Sequence, residues 1–439
     1  MFRTNRTDWW PCTLLVLVTS SAWAQPAPQR QPDGAPAPVP MLSAPPSPGS
    51  ASLSTTLKQA FLAAWQRQPE AQSREARDAA ATARKEAANS WTAEPVALEL
   101  SIKSDRLNQN QGKREDGAGL TVPLWLPGER TRTGALADAE VRANASRLLA
   151  AQLRTAGSVR ENYWQWQRAR GEHDLARERL GSAQQLAADV AKRVKAGDLA
   201  RADQHQSDGA VANAEAGLAE AVSALAAAAL QVRALTGTSP GPNGMAATEP
   251  VPDVPTDFAA LEIRHPAVVE LLDRADIARR ATDLARVQTR TNPELSLATA
   301  RDRGLAGEPY QQSITLGIRI PFGSDSRNRA KLAAAQADGI EADAQLSLER
   351  ERLLSELDAA RVRLESARIQ LKAADKSAQL ARESKGFFQK SFRLGETDLP
   401  TRLRIELEAI DAERRAARAR IDLAAAVSAL RQTLGLLPE

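Results

Sequence analysis

The sequence predicts a mainly α-helical fold with a small β part, made of one unit used twice. Three observations predict it. Sequence landmarks recur at a nearly constant offset, two very long stretches lack proline, and short period-two segments precede each long stretch.

The repeat comes first. Gln68-Pro69 matches His265-Pro266, 197 residues later. Gly197-Asp198-Leu199 lies 198 residues before Gly395, where Glu396, Thr397, Asp398 and Leu399 follow. Leu235-Thr236-Gly237 likewise lies 198 before Thr433-Leu434-Gly435. Each half reads helix, strand, strand, very long helix, turn, long helix. The first unit covers 51–237 and the second 257–439, with a Pro-rich linker over 238–256.

The long helices follow from what is missing. No proline occurs between Pro127 and Pro240 or between Pro321 and Pro400. Helical pattern runs from about Gly128 to Lys195 and from about Asn328 to Arg393. At 1.5 Å per residue each reaches roughly 100 Å. Such length implies a coiled-coil-like assembly. Leu346, Leu353, Ala360, Ala367 and Ala374 lie seven apart, as do Leu357, Leu364, Leu371 and Ala378. Alanine at these seams lets backbones approach closely, as a many-helix wall requires; a dimeric coiled coil is the alternative.

The strands are short. Val96, Leu98, Leu100 and Ile102 alternate with polar or small residues over about 94–104. Leu120, Val122 and Leu124 do so over about 118–126. Leu295 and Leu297 mark a third strand at about 293–302, and Ile314, Leu316, Ile318 and Ile320 a fourth at about 311–322. One apolar and one polar face is the pattern of a barrel with a wet lumen, and Glu99, Lys103 and Arg319 fall on the polar side. A half-exposed soluble sheet shows the same alternation. Trp91, Trp125 and Phe322 stand at strand ends that share one edge of the sheet, where membrane-interface aromatics settle.

The N-terminus reads as an export signal over residues 1–24. Arg3 and Arg6 precede apolar Leu14–Val18, and Ala22-Trp23-Ala24 is a cleavage site before Gln25. Cys12, the only cysteine, lies ahead of the apolar stretch, so lipidation and disulfides are not expected. Residues 25–50 hold nine prolines and read as a flexible lead-in. No later segment has 18 consecutive apolar residues, so no transmembrane helix is expected. Four strands cannot close a barrel in lipid, where open edges are forbidden. Three copies would supply twelve strands crossing an outer membrane, continued by a long periplasmic helical barrel.

Val122-Pro123-Leu124-Trp125-Leu126-Pro127-Gly128 and Ile320-Pro321-Phe322-Gly323 stand at the strand-to-helix joints. With Asn328-Arg329-Ala330, Phe392-Arg393-Leu394-Gly395-Glu396 and the two Leu-x-Gly repeat ends, they carry a resemblance. The chain resembles the TolC-type outer membrane factor family of outer membrane efflux proteins, and its heavy-metal (CzcC- and CusC-like) branch somewhat more than its drug branch. The resemblance spans about Leu53 to Leu437. It implies a homotrimer in the outer membrane that docks a periplasmic adaptor (membrane fusion) protein and an inner-membrane pump of the RND type. It implies a passive exit duct, not an enzyme, for divalent heavy-metal cations or small toxic compounds. A duct of the same fold for protein secretion, or a pore-free periplasmic coiled-coil protein, remains open.

Catalytic, cofactor and metal motifs are not found. His173, His205 and His265 have no ligand spacing; the first two read as exposed helix residues and His265 as a cap or joint before Pro266. Fifty-eight basic against 54 acidic residues, interspersed, give no argument for nucleic acid. The remaining candidates are the two hairpin turns. Gly197 and Gly395 end the long helices, and Asp or Thr just beyond can cap the next. By the resemblance these tips form the periplasmic entrance. Asp198, Asp203, Glu396 and Asp398, beside Arg201 and Arg402, are the candidate gate charges, expected to pair and hold the entrance closed.

Overall fold

The computed structural model describes residues 56–439 apart from 109, 242–247, 256, 257 and 324. The expected signal peptide and the whole of the expected lead-in over 25–50 therefore lie outside the described residues.

In the first repeat, α1 (Leu57–Gln66), α2 (Pro69–Gln72) and α3 (Arg74–Ala88) precede two strands, then α4 (Glu129–Ala196) and α5 (Arg201–Thr236). In the second, α6 (Phe258–Arg264) and α7 (Pro266–Val287) precede two strands, then α8 (Asp325–Leu394) and α9 (Leu399–Thr433). Thr56 and Gln59 cap α1 reciprocally, side chain to backbone N–H, at 3.3 and 3.2 Å. Helix α1 then buries Leu57, Ala60, Phe61 and Ala64, the i, i+3, i+4, i+7 face of an amphipathic helix.

The repeat landmarks meet in space. Pro69 and Pro266 each open a helix, where a missing N–H costs nothing. Gly435 lies against the second of these joints with φ +75°, and a Cβ there would come within 2.8 Å of Pro266 Cδ and 3.0 Å of His265 Cδ2. In the first repeat Gly237, with φ +80°, lies instead against the guanidinium of Arg67, next to Gln68-Pro69 in sequence. Both glycines are required by their positive φ, and Gly435 also by its close approach to the His265-Pro266 joint.

Helices α4 and α8 have 68 and 70 residues, about 100 Å each at 1.5 Å per residue. Each folds back on its partner, α4 on α5 and α8 on α9, and α4 also lies along α9. Toward the sheet, α7 packs against both α4 and α8, and α3 against α4. The heptad positions Leu346, Leu353, Leu357, Ala360, Leu364 and Ala378 are buried. Midway along α4, Tyr163, Trp164 and Trp166 pack with Phe61, Val159 and Val232 into the largest apolar cluster. Smaller clusters continue along the hairpins, down to Leu186, Val190, Phe392 and Leu399 at their tips. The core is a string of small clusters because long parallel rods share a seam, not a centre.

One helix has the composition of a membrane span, which the sequence reading did not expect. Helix α5 reaches a mean hydropathy of 1.4 over 18 residues, long and apolar enough by composition to cross a membrane. Interspersed Gly, Glu and Ser keep it from being an unbroken apolar run, and alanine supplies most of its value. Its antiparallel partner α4 carries Arg168, Arg170, Glu172, Asp174, Arg177, Glu178 and Arg179, which a membrane would exclude. Helix α5 therefore reads as a seam helix.

Candidate functional site

The four strands are β1 (Ala97–Ser104), β2 (Arg114–Pro123), β3 (Glu294–Arg303) and β4 (Gln311–Arg319). They form one antiparallel sheet in sequence order. Strands β2 and β3 come from different repeats and pair at the centre, which leaves β1 and β4 as open edges.

The register sorts the side chains into two faces. Leu98, Leu120, Leu297 and Leu316 stand opposite one another in one row across all four strands. The flanking rows on that face hold Val122, Leu295 and Ile318 on one side, and Leu100, Ala118, Thr299 and Ile314 on the other. The reverse face carries Glu99, Gly119, Ala298 and Thr315 in one row and Ser101, Gly117, Ala300 and Ser313 in the next. An antiparallel sheet in water buries its apolar face. Here that face is bare: Leu98 is 68% exposed, Leu316 72%, and Leu100 and Ile314 74%.

The strand ends differ from the sequence reading. β1 begins at Ala97, after Pro95, not at 94. β2 spans Arg114–Pro123, not 118–126, since the backbones of Arg114 to Gly117 pair on both sides despite their polar or small side chains. β4 stops at Arg319, before Pro321, which has no N–H for a ladder.

Trp91 and Phe322, each 82% exposed, stand beyond the strand ends on the helix side of the sheet. Trp125 is half-buried, and its indole N–H donates to the Ser90 carbonyl at 3.3 Å, tying the joint before α4 to the segment before β1. Glu129, which sequence reasoning passed over, fixes the same joint. Buried in the first turn of α4, its carboxylate accepts from Leu126 N–H at 3.0 Å, Asn292 Nδ2 at 2.9 Å and Gln288 Nε2 at 2.8 Å. An anion suits a helix N-terminus, and this one clamps the two repeats together under the sheet.

At the far tips Gly197 (φ +88°) and Gly395 (φ +80°) take the left-handed conformation that ends a helix. Asp203 accepts from the Ala200 N–H at 3.0 Å and so caps α5. Asp398 is the N-cap of α9 without a side-chain hydrogen bond. Glu396 accepts from Ser391 Oγ at 3.4 Å, and Asp198 is exposed. The expected pairing is not made within the protomer: among the described residues no ion pair joins Arg201 or Arg402 to these acids. Arg402 instead lies over the buried Phe392 ring at 4.6 Å. Arg193, from the other repeat, lies over the same ring at 4.8 Å and donates to the Phe392 carbonyl at 3.1 Å. Two guanidinium groups and one aromatic ring join the tips. Burial lowers the Arg402 guanidinium from its usual value, against the pull of Glu406 and Asp189.

His173 approaches its neighbour Asp174 at 3.0 Å, and His205 is exposed. His265 is the N-cap of α7 with its ring buried, which pushes its pKa down and favours the neutral imidazole. The linker hides a second site that the sequence did not disclose. Glu249, 1% exposed at its side chain, meets Arg160 of α4 at 2.8 Å and Arg431 of α9 at 3.3 Å. Ser428 also donates to it. Arg160 donates further to Gln432 at 2.6 Å and to the Leu436 carbonyl at 2.9 Å. Linker and both repeats are thus held by one buried charge network.

The comparisons with known proteins agree with this geometry. Residues 62–238 match the family model of outer membrane efflux proteins. No curated protein matches the chain. The solved structure of CusC superposes with TM-score 0.73 at 16% identity, over 88% of this chain and 93% of that one. VceC, an outer membrane protein of Vibrio cholerae, gives 0.69 at 17% identity, over 87% and 97%. The Campylobacter jejuni CmeC outer membrane channel gives 0.69 at 14% identity, over 86% and 85%. By sequence over residues 62–238 the chain is similar to outer membrane efflux proteins, and by fold over both repeats it is similar to these outer membrane channels.

Proposed function

We propose that three copies of this chain close their sheets into a twelve-stranded outer-membrane barrel, continued into the periplasm by the long helices as a passive efflux duct. The observation that carries this reading is the bare apolar face beside two open strand edges. A bilayer covers such a face, and pairing β4 of one copy with β1 of the next removes the edges without reversing strand direction. A pore-free coiled-coil protein would have no use for either feature. Energy comes from an inner-membrane pump of the RND type through a periplasmic adaptor, both docking at the tips. The cargo is divalent heavy-metal cations or small toxic compounds. Deleting the gene and testing sensitivity to both panels decides between them. Mass in detergent by light scattering is expected to be three times that of the chain. A monodisperse monomer or dimer that keeps its strands would refute the assembly.

The tips form the entrance in this reading. Asp198, Glu396 and Asp398 make no ion pair inside the protomer among the described residues, so they are the groups available to a neighbouring copy. Each exposed pair contributes under about 1 kcal/mol, but several around a three-fold ring bias a two-state gate. Replacing Asp198, Glu396 and Asp398 together by alanine, with Arg402 left on the Phe392 ring, is expected to raise single-channel conductance with the trimer intact. Unchanged conductance would leave Asp398 with its N-cap position alone.

A further inference from the structure

The charges on the apolar face of the sheet are confined to one end. Among the strand residues on that face, the charged ones are Arg114, Asp116, Arg301 and Arg303. All four lie beyond the apolar rows, at the edge remote from the helices, where Arg114 stands opposite Arg303 and Asp116 opposite Arg301. Asp116 is engaged by Arg114 at 3.0 Å. Three cations against one carboxylate leave two positive charges on this face. The reverse face at the same level carries Lys103, Glu115 and Asp302, with Lys103 paired to Glu115 at 3.0 Å, so its balance is one negative charge. Positive charge is therefore segregated outward.

These arginines are also positioned. Arg301 lies over the Tyr310 ring at 4.3 Å and Arg303 at 5.1 Å. Arg303 is further held by the Gly112 carbonyl, which accepts from its Nε at 3.0 Å. A ring that holds two guanidinium groups side by side fixes their spacing and lowers the entropy lost when a ligand binds. Planar guanidinium groups match phosphate oxygens two at a time. An aromatic at the end of an apolar band belongs at the headgroup level of a bilayer.

We propose that this Arg114–Arg301–Arg303–Tyr310 collar binds the phosphate groups of phosphorylated glycolipids in the outer leaflet. The inference rests on the reading of the sheet as membrane-spanning. Charge complementarity selects the occupant: the collar lies next to the lipid-covered rows and carries net positive charge, whereas the lumen side does not. The collar anchors the barrel at the outer headgroup level, and Trp91 and Phe322 mark the opposite edge.

The test uses the full-length protein in detergent, titrated with bisphosphorylated lipid A, with its dephosphorylated counterpart, and with inorganic phosphate. Bound copies are counted by native mass spectrometry. The protein is expected to prefer the bisphosphorylated lipid over both. The triple variant Arg114→Gln, Arg301→Gln, Arg303→Gln should weaken that binding by at least about tenfold. The triple Arg→Lys variant, which keeps the charge but loses the planar fork, should bind between wild type and the glutamine variant and guards against misfolding of the latter. Equal binding by wild type and the glutamine variant, or equal binding of the dephosphorylated lipid, would overturn the proposal. Conductance in phosphatidylcholine bilayers separates the two readings. Normal conductance without phosphate preference defeats the collar alone, whereas no insertion into any bilayer defeats the membrane-spanning sheet.

Discussion

Leu316→Arg is expected to cost about 2–4 kcal/mol per chain and to remove most assembled protein from the membrane, while Thr315→Arg is tolerated. The two positions are neighbours on β4, and both are exposed in the single chain. Only the pleat separates them. Leu316 completes the row of Leu98, Leu120 and Leu297 on the apolar face, and Thr315 stands with Glu99, Gly119 and Ala298 on the other. An arginine toward lipid meets hydrocarbon, whereas one toward the lumen meets water. The amount of heat-resistant trimer in outer-membrane fractions measures the difference. Equal yields from the two variants would mean that neither face contacts lipid.

Glu249→Ala is expected to destabilise the helical part by about 3–5 kcal/mol, the cost of leaving buried charges without their partner. Arg160, 4% exposed, would then keep only neutral acceptors, and Arg431, 3% exposed, only Glu439 at 2.8 Å and the Pro250 carbonyl. A purely apolar replacement of the network behaves differently, since burying matched hydrophobic groups carries no charge penalty. Arg160→Met, Glu249→Leu and Arg431→Leu together should therefore lose less than Glu249→Ala alone. Thermal unfolding in detergent distinguishes them. If Glu249→Ala unfolds at the wild-type temperature, the linker is not held by this network.

Most of the fold was legible because it depends on local rules repeated many times. Proline-free length and a seven-residue seam specify α4 and α8, and the predicted ends fall within a few residues of Glu129–Ala196 and Asp325–Leu394. The faces of the strands were legible for the same reason, since alternation is a local property. What the sequence left open was whether water or lipid meets the apolar face, and only the three-dimensional cover of Leu98 or Leu316 answers that. Contacts between distant segments were not legible at all. Nothing near Glu249 announces that Arg160 and Arg431, 89 residues before and 182 after it, will converge there. Arg402 was assigned to nearby acids because they are close in sequence. The ring of Phe392, made available by the packing of Leu186, Val190 and Leu399, offered its guanidinium a better seat. Tyr310 was overlooked because one tyrosine beside a loop carries no pattern until the register brings Arg301 and Arg303 over it.

The central claim is that the assembled chain is an open-ended duct through a membrane. Single-channel recording of the purified protein in planar bilayers tests it most directly. The account predicts discrete current steps of uniform size, each arising from one trimer, with steps that disappear when Leu316→Arg protein is added instead. Protein that binds the bilayer or stays in solution without ever producing such steps would contradict it.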